Sequence, residues 1–266
     1  MMRQHNKVAE VNLYFWIMKI LATTLGETAG DYLSMSLGLG YYTSFAITFS
    51  ILAIILWLQI SILRQYHPAV YWAAIVGTTT AGTEVSDLMD RSFGLGYAKG
   101  SFILVTGLLV TFGIWYFRER NLNYYPIVRK DIELMYWLCI IFSNSLGTAF
   151  GDYLTTNLGL SYLSGAMLTA AIIGVIMALH YFTQVNDIVL FWLAFILTRP
   201  FGATFGDFLT KPLTQGGLSL SRSIASLVTL GLLGILLIVS TRYRRRKHSQ
   251  RDFSQPQALE EHEDQE

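Results

Sequence analysis

Cysteine, histidine and charge are all scarce in this chain, and each scarcity removes a class of function. The single cysteine, Cys139, excludes an internal disulfide and sits in an apolar run as a small packing residue. Five histidines, His5, His67, His180, His248 and His262, lie near the chain ends or the ends of apolar runs, with no HExxH or other zinc spacing. There is no phosphate-binding loop, no GxSxG and no Cys and His pair, so the chain reads as neither an enzyme nor a cofactor protein. Nothing in it points to nucleic acid. Charged residues are 14% of 266, against roughly 25% in soluble chains, which excludes an ordinary soluble domain.

What fills the sequence instead is apolar: 53% hydrophobic residues, gathered into eight runs at 12–35, 41–63, 69–90, 97–117, 134–156, 161–182, 188–210 and 220–240. A helix needs about 20 such residues to cross a bilayer, and no run shows the alternation of a membrane barrel. The expected fold is therefore all-α, a polytopic membrane bundle of eight transmembrane helices. The first run is long and lacks a small-residue cleavage site, so it is expected to be retained as a span. Even spans put both termini on one side. Thirteen Lys and Arg fall on that side (Arg3, Lys7, Arg64, Arg118, Arg120, Arg129, Lys130 and six beyond Ser240) and four on the other (Arg91, Lys99, Lys211, Arg222). Both termini are expected in the cytoplasm. The RYRRRKH cluster from Arg242 reads as a contact with anionic membrane lipids, and six of the 18 acids lie beyond Lys247 in a tail expected to be disordered.

An internal repeat organises these runs. Trp16, Trp72, Trp137 and Trp192 are each followed fifteen residues later by an aspartate: Asp31, Asp87, Asp152 and Asp207. The surrounding text recurs as GETAGDYL, GTEVSDLM, GTAFGDYL and GATFGDFL. Each copy is a helical hairpin whose first helix carries the Trp and Asp. The divisions are a cytoplasmic N-terminus 1–11, repeats 12–67, 68–125, 126–183 and 184–240, and the charged tail 241–266. Odd copies resemble odd ones and even copies even ones, the even pair placing a base four residues after the aspartate (Arg91, Lys211). Two parallel halves of four spans each follow. The tryptophans read as interface belt or packing residues.

A carboxylate in a lipid-spanning segment is costly, so four at one repeated depth imply function. Glu27 and Asp31 are i and i+4, Glu84 and Asp87 i and i+3, and Asp90 extends the second stripe. Two close acids in a low dielectric share a proton or hold a cation, which makes Asp31, Asp87, Asp152 and Asp207 candidate metal or ion ligands. Thr148 and Thr204 replace the partner glutamates in the later copies. Eight residues before each aspartate stands a polar residue: Thr23, Thr79, Asn144 and Arg199. The first three offer neutral polar groups to a cation, and Arg199 offers a counter-charge to a neighbouring carboxylate or an anionic solute. The rival reading is structural, with the aspartates as caps and Asp87 with Arg91 and Asp207 with Lys211 as helix salt bridges.

Four tandem two-span units with a tryptophan and a G-x-x-x-[GS]-D core resemble a family of bacterial multi-pass proteins defined by that repeat and described as uncharacterised membrane-anchored proteins. The likeness covers about Val11 to Ser240 and implies the bacterial inner membrane; it implies no activity. A weaker likeness is to cation exporters with E-x-G-D followed by a base and a hydroxyl. Glu84 to Asp87 approach that motif, but Ser86 replaces Gly, Leu88 and Met89 replace the last two residues, and Glu27 lies one residue too far from Asp31.

The function expected from these residues is secondary transport of a cation or other small solute, exchanged for protons at the intramembrane carboxylates. The alternatives are a channel with an acidic ring and a non-transporting scaffold. Solute, direction and oligomeric state have no signal in the sequence. The charge count predicts that a reporter fused after Ser240 registers cytoplasm and that cysteines introduced near Leu39 or Leu95 react with a membrane-impermeant reagent from outside; the opposite labelling would overturn the topology.

Overall fold

The computed structural model describes residues 6–263, with side chains over 6–244. The described residues form eight helices: α1 (Leu13–Asp31), α2 (Gly40–Trp57), α3 (Pro68–Asp87), α4 (Gly96–Glu119), α5 (Lys130–Asp152), α6 (Tyr162–Phe182), α7 (Asp187–Thr210) and α8 (Arg222–Glu263). Among the described residues there is no strand. The all-α bundle of four repeats is thus the observed architecture.

The four odd helices form an inner ring in which α1 packs on α3, α3 on α5, α5 on α7 and α7 back on α1. The even helices stand outside it, and each makes its main contact with the inner helix of the following repeat: α2 with α3, α4 with α5, α6 with α7 and α8 with α1. The two helices of a repeat are therefore neighbours in sequence that pack chiefly on the next copy. Glycine sets how close the ring helices come. A Cβ on Gly26 or Gly202, five residues before the aspartate, would collide with Thr79 or Thr23 of the next inner helix. On Gly147 it would lie 2.5 Å from Arg199 Cβ, and on Gly82 3.0 Å from the Asn144 backbone. The glycine of one copy thus faces the polar residue eight before the aspartate of the next, all the way round. Thr79 and Thr83 use the closeness to donate to the carbonyls of Ala22 and Gly26, at 2.9 and 3.1 Å.

Six helices are long and apolar enough to cross a membrane: α5 and α7 of the inner ring and all four outer helices, among the described residues. The eight helices expected from the sequence are all present; α1 and α3 fall below that apolarity because of the polar side chains they carry. Both lie inside the ring and bury polar side chains there, α1 Lys19, Thr23, Thr24, Glu27, Thr28 and Asp31, α3 Thr78, Thr79, Thr80, Thr83, Glu84, Ser86 and Asp87. The outer helices bury little and present Ile, Leu, Phe and Val outwards, as lipid contact requires. α8 runs on to Glu263, through the segment expected to be disordered; from Arg242 it is rich in Arg, Gln and Glu, which favour helix. The side chains of the tail, and of the basic cluster beyond Arg244, lie outside the described residues.

The repeated tryptophans turn out to pack inside. Trp72, Trp137 and Trp192 are buried and Trp16 half-buried, in one cluster with Phe15, Tyr71, Tyr136, Phe191 and Phe195 that fills the ring at the end where α1 begins. The Tyr71 and Tyr136 hydroxyls meet at 2.6 Å across it. The N-terminal segment lies over this end: Lys7 pairs with buried Glu133, which also accepts from Gln59 Nε2 at 3.0 Å. Tyr14 packs on Tyr243, so the start of α1 and the far part of α8 share that end.

The glycine contacts yield a stability prediction. Gly202→Ala puts a methyl into the Thr23 contact and should cost about 1–3 kcal/mol, whereas Gly174→Ala, in open space on α6, should leave the protein at least as stable. Thermal midpoints of the two purified variants check this, and equal midpoints would refute the close-packed ring.

Candidate functional site: a carboxylate cluster on the ring axis

The aspartates end or nearly end the inner helices. Asp31, Asp87 and Asp152 are the last α-helical residues of their copies, and each leads directly into a π turn, Tyr32–Ser36, Leu88–Ser92 and Tyr153–Asn157. Such turns, rare in helices, recur at functional positions. The fourth copy departs: α7 runs three residues past Asp207, then Pro212 enters and a 3₁₀ turn, Leu213–Gln215, follows.

All four aspartates are buried, and two bases join them in pairs. Arg91 Nε lies 2.9 Å from Asp87 Oδ1 and Arg91 Nη2 3.5 Å from Asp152 Oδ2. Lys211 Nζ lies 3.0 Å from Asp207 Oδ1 and 3.3 Å from Asp31 Oδ2, and Arg222 Nε is also 3.3 Å from that Asp31 oxygen. The two helix salt bridges read from the sequence are present, but each base also reaches the aspartate of a second repeat. These side chains are partly exposed and form a basic rim over the carboxylates.

One turn deeper, Glu27 accepts from Arg199 Nη2 at 2.8 Å. The same Nη2 donates to Thr83 Oγ1 at 2.6 Å, and Nη1 donates to the Thr23 carbonyl at 3.5 Å. Arg199, which the sequence assigns as an internal counter-ion, thus serves α1 across the seam between the last and first repeats. One carboxylate oxygen each from Glu27, Asp31 and Asp207 lies within 4.8 Å of the others, a spacing a cation could bridge. Glu84 is fully buried, and neither of its carboxyl oxygens has a partner among the described residues. Its charged neighbours are Asp31 and Glu27. Six carboxyl groups thus converge on four basic side chains, so two carboxylates lack a fixed counter-charge when all are ionised.

Asp90 does not join them. It lies against Gly100 of α4 and accepts from Ser86 Oγ at 3.3 Å. The stripe drawn through Glu84, Asp87 and Asp90 assumed α-helical spacing, and the π turn after Asp87 rotates the residues beyond it out of register. Asn144 stands deeper than the carboxylates: its amide oxygen accepts from Lys19 Nζ at 3.1 Å and its amide nitrogen donates to Thr78 Oγ1 at 3.0 Å.

The sequence reading missed two contributors. Lys19, a charge inside an apolar run, carried a signal that was passed over. Arg222 carried none, since only the fold brings the start of α8 to Asp31. Two apolar grooves on the outside, one between α4, α5 and α7 and one bounded by α2, α3 and α8, have no carboxylate in their linings.

The two glutamates differ in what their loss should do. Glu27→Gln leaves buried Arg199 without its counter-charge, a change of about 3–5 kcal/mol in stability; Glu84→Gln removes no pairing and should leave stability unchanged or raised. Unfolding midpoints of the two variants check this, and a Glu84→Gln loss as large as that of Glu27→Gln would refute the assignment of partners.

Comparison with known proteins agrees with the fourfold geometry. No curated protein and no solved structure matches the chain. One family profile does, four times in tandem, over residues 14–64, 70–121, 135–186 and 190–246. Each match holds one Trp and Asp unit with its inner and outer helix, and together they take in most of the chain. The protein therefore belongs to the family described as Repeat of Unknown Function (DUF347).

Proposed function

We propose that this protein is a secondary transporter of the bacterial inner membrane, both termini cytoplasmic, that binds a cation at its axial carboxylates in exchange for protons. The observation that carries the reading is the excess of buried carboxyl groups over bases, with Glu84 wholly unpartnered. A dry interior does not hold two uncompensated negative charges, so the excess is met by protons or by a bound cation. Glu27, Asp31 and Asp207 form the cation site; their oxygens suit a hard cation. Lys211 takes part of that place in the absence of cation, with its ammonium on two of the three residues. It is a long side chain at the end of α7, and an entering cation displaces it towards the rim. Glu84 holds the exchanged proton. The aromatic cluster closes one end of the axis and the basic rim covers the other, an arrangement that suits a site opened to one side at a time.

The closed ring of four inner helices favours a second reading, a channel along its axis with the aspartates as an acidic ring. The aromatic filling and the Arg199 hydrogen bond to Thr83 on the opposite inner helix weigh against it.

The test is flux in proteoliposomes against a panel of monovalent and divalent cations with internal pH recorded. Cation uptake should drive protons outward, and apparent affinity should tighten as pH rises, because protons and cation compete for the same oxygens. Glu84→Gln should reduce proton movement severalfold while the protein stays folded. Ohmic flux that changes no pH and ignores a collapsed proton gradient would replace the exchanger with the channel; no cation flux at all would remove both.

A further inference from the structure

The outer groove bounded by α2, α3 and α8 differs from plain lipid-facing surface in its depth and in its mouth. α2 packs on α3 and α8 on α1, so these two outer helices stand apart over the outward face of α3. The groove between them holds about 450 Å³. Its floor is α3 from Ala69 to Thr80, with Ile51 and Ile55 of α2 on one wall and Leu230 and Leu237 of α8 on the other. At about 1.5 Å per residue that floor is about 16 Å long. This is the depth of one leaflet, half of a hydrocarbon core of about 30 Å. The hydroxyls in the lining, on Thr48 and Thr80, return to carbonyls of their own helices. The body of the groove therefore suits an alkyl chain.

The mouth carries charge. Arg244 stands on α8 seven residues after Leu237, hence on the same side of the helix, whereas Arg242, two residues earlier, falls on the opposite side. The Arg244 guanidinium lies over the Tyr66 ring, 4.5 Å from its centre, and Tyr66 is three residues ahead of the first floor residue. That contact puts the guanidinium at the end of the groove nearest the start of α1. The aromatic platform is fixed: the Tyr66 amide donates to the Asn6 carbonyl at 2.8 Å, and its ring packs on Tyr71 at 5.5 Å. A guanidinium on an aromatic face keeps N–H donors for a phosphate, which it grips by two oxygens. Acids of this end are engaged elsewhere, Glu133 with Lys7 and Glu119 and Asp131 with Arg129. Arg64, exposed in the same connection as Tyr66, adds to the positive field.

We infer that this groove binds one anionic phospholipid of the leaflet at that end, with its phosphate on Arg244 and one acyl chain laid along α3 between α2 and α8. Shape and charge select opposite ends of the same molecule. A zwitterionic headgroup brings its own cation against the arginine, and an anion without a chain leaves the groove unfilled. The site is distinct from a general attraction of the basic tail to lipid, because Arg244 sets the headgroup preference and Arg242 does not. The seated lipid would tie α8 of the last repeat to α2 and α3, over the seam where α8 covers α1. This holds whichever compartment that end faces and whatever the carboxylates carry.

The experiment takes the full chain in detergent at constant ionic strength and adds dioleoyl phosphatidylglycerol. Dioleoyl phosphatidylcholine supplies the same chains under a zwitterionic headgroup, and inorganic phosphate supplies the anion without chains. Phosphatidylglycerol should raise the thermal midpoint saturably, by several degrees, as a ligand of the folded state does; the other two should not. Gly234 lines the groove with open space where a side chain would stand. Gly234→Leu therefore fills the groove without a clash, and should abolish the shift in a protein that folds as well as before. Arg244→Gln should raise the half-saturating phosphatidylglycerol concentration about tenfold, while Arg242→Gln leaves it unchanged. Equal shifts with the two lipids, an equal shift with phosphate alone, or a shift that survives Gly234→Leu would each overturn the site. Equal losses in Arg242→Gln and Arg244→Gln would replace it with a diffuse attraction of the basic tail.

Discussion

Closure of the ring between the first and last repeats is the contact on which the rest depends. At that seam Gly202 and Gly206 of α7 fit against Thr23 and Glu27 of α1, Arg199 pairs with Glu27, and Lys211 reaches Asp31. Every charged group in these contacts is buried or nearly so. None of them is tolerable alone in an apolar interior, and each is satisfied by a helix some 170 to 180 residues away. A bundle left open there would expose or strand most of the axial charge at once. The seam therefore couples the fold to the site: what closes the ring is also what balances the carboxylates.

The backbone repeats four times, but the charges repeat twice. Glycine against the polar residue of the next copy recurs at all four interfaces of the ring. The bridging bases do not: Arg91 ties the second aspartate to the third, and Lys211 ties the fourth to the first. Glu27 and Glu84 break even that twofold pattern, since Thr148 and Thr204 stand in their places in the second half. The surplus of acid thus sits towards α1 and α3, the two helices that fall short of an apolar span.

Much of this was legible in the sequence because it is local and periodic. Trp to Asp spacing marked the inner helices, alternation of odd and even copies foretold the paired bases, and Arg199 was readable as an internal counter-ion. What was not legible is which helix meets which. Hydropathy says that α2 is apolar on all sides but not that it belongs on α3, and the partner of Arg199 follows only from the ring. Asp90 was misplaced because a π turn leaves no mark in the periodicity of an apolar stretch. Lys19 was visible as a charge in a span, but its lack of a counter-ion is a fact about neighbours.

The ring's interlock also bears on how such a chain is assembled. Any consecutive pair of repeats carries an unpaired outer helix at its trailing edge and an inner helix awaiting one at its leading edge. Two such pairs placed head to tail meet through the same surfaces that one chain uses to meet itself, as α4 meets α5 and α8 meets α1. The four-repeat chain is in this sense a dimer of its own halves with the linker left in. Once the halves are joined they are free to differ, which is how a base, a glutamate or a lone lysine comes to stand in one copy and be absent from its counterpart.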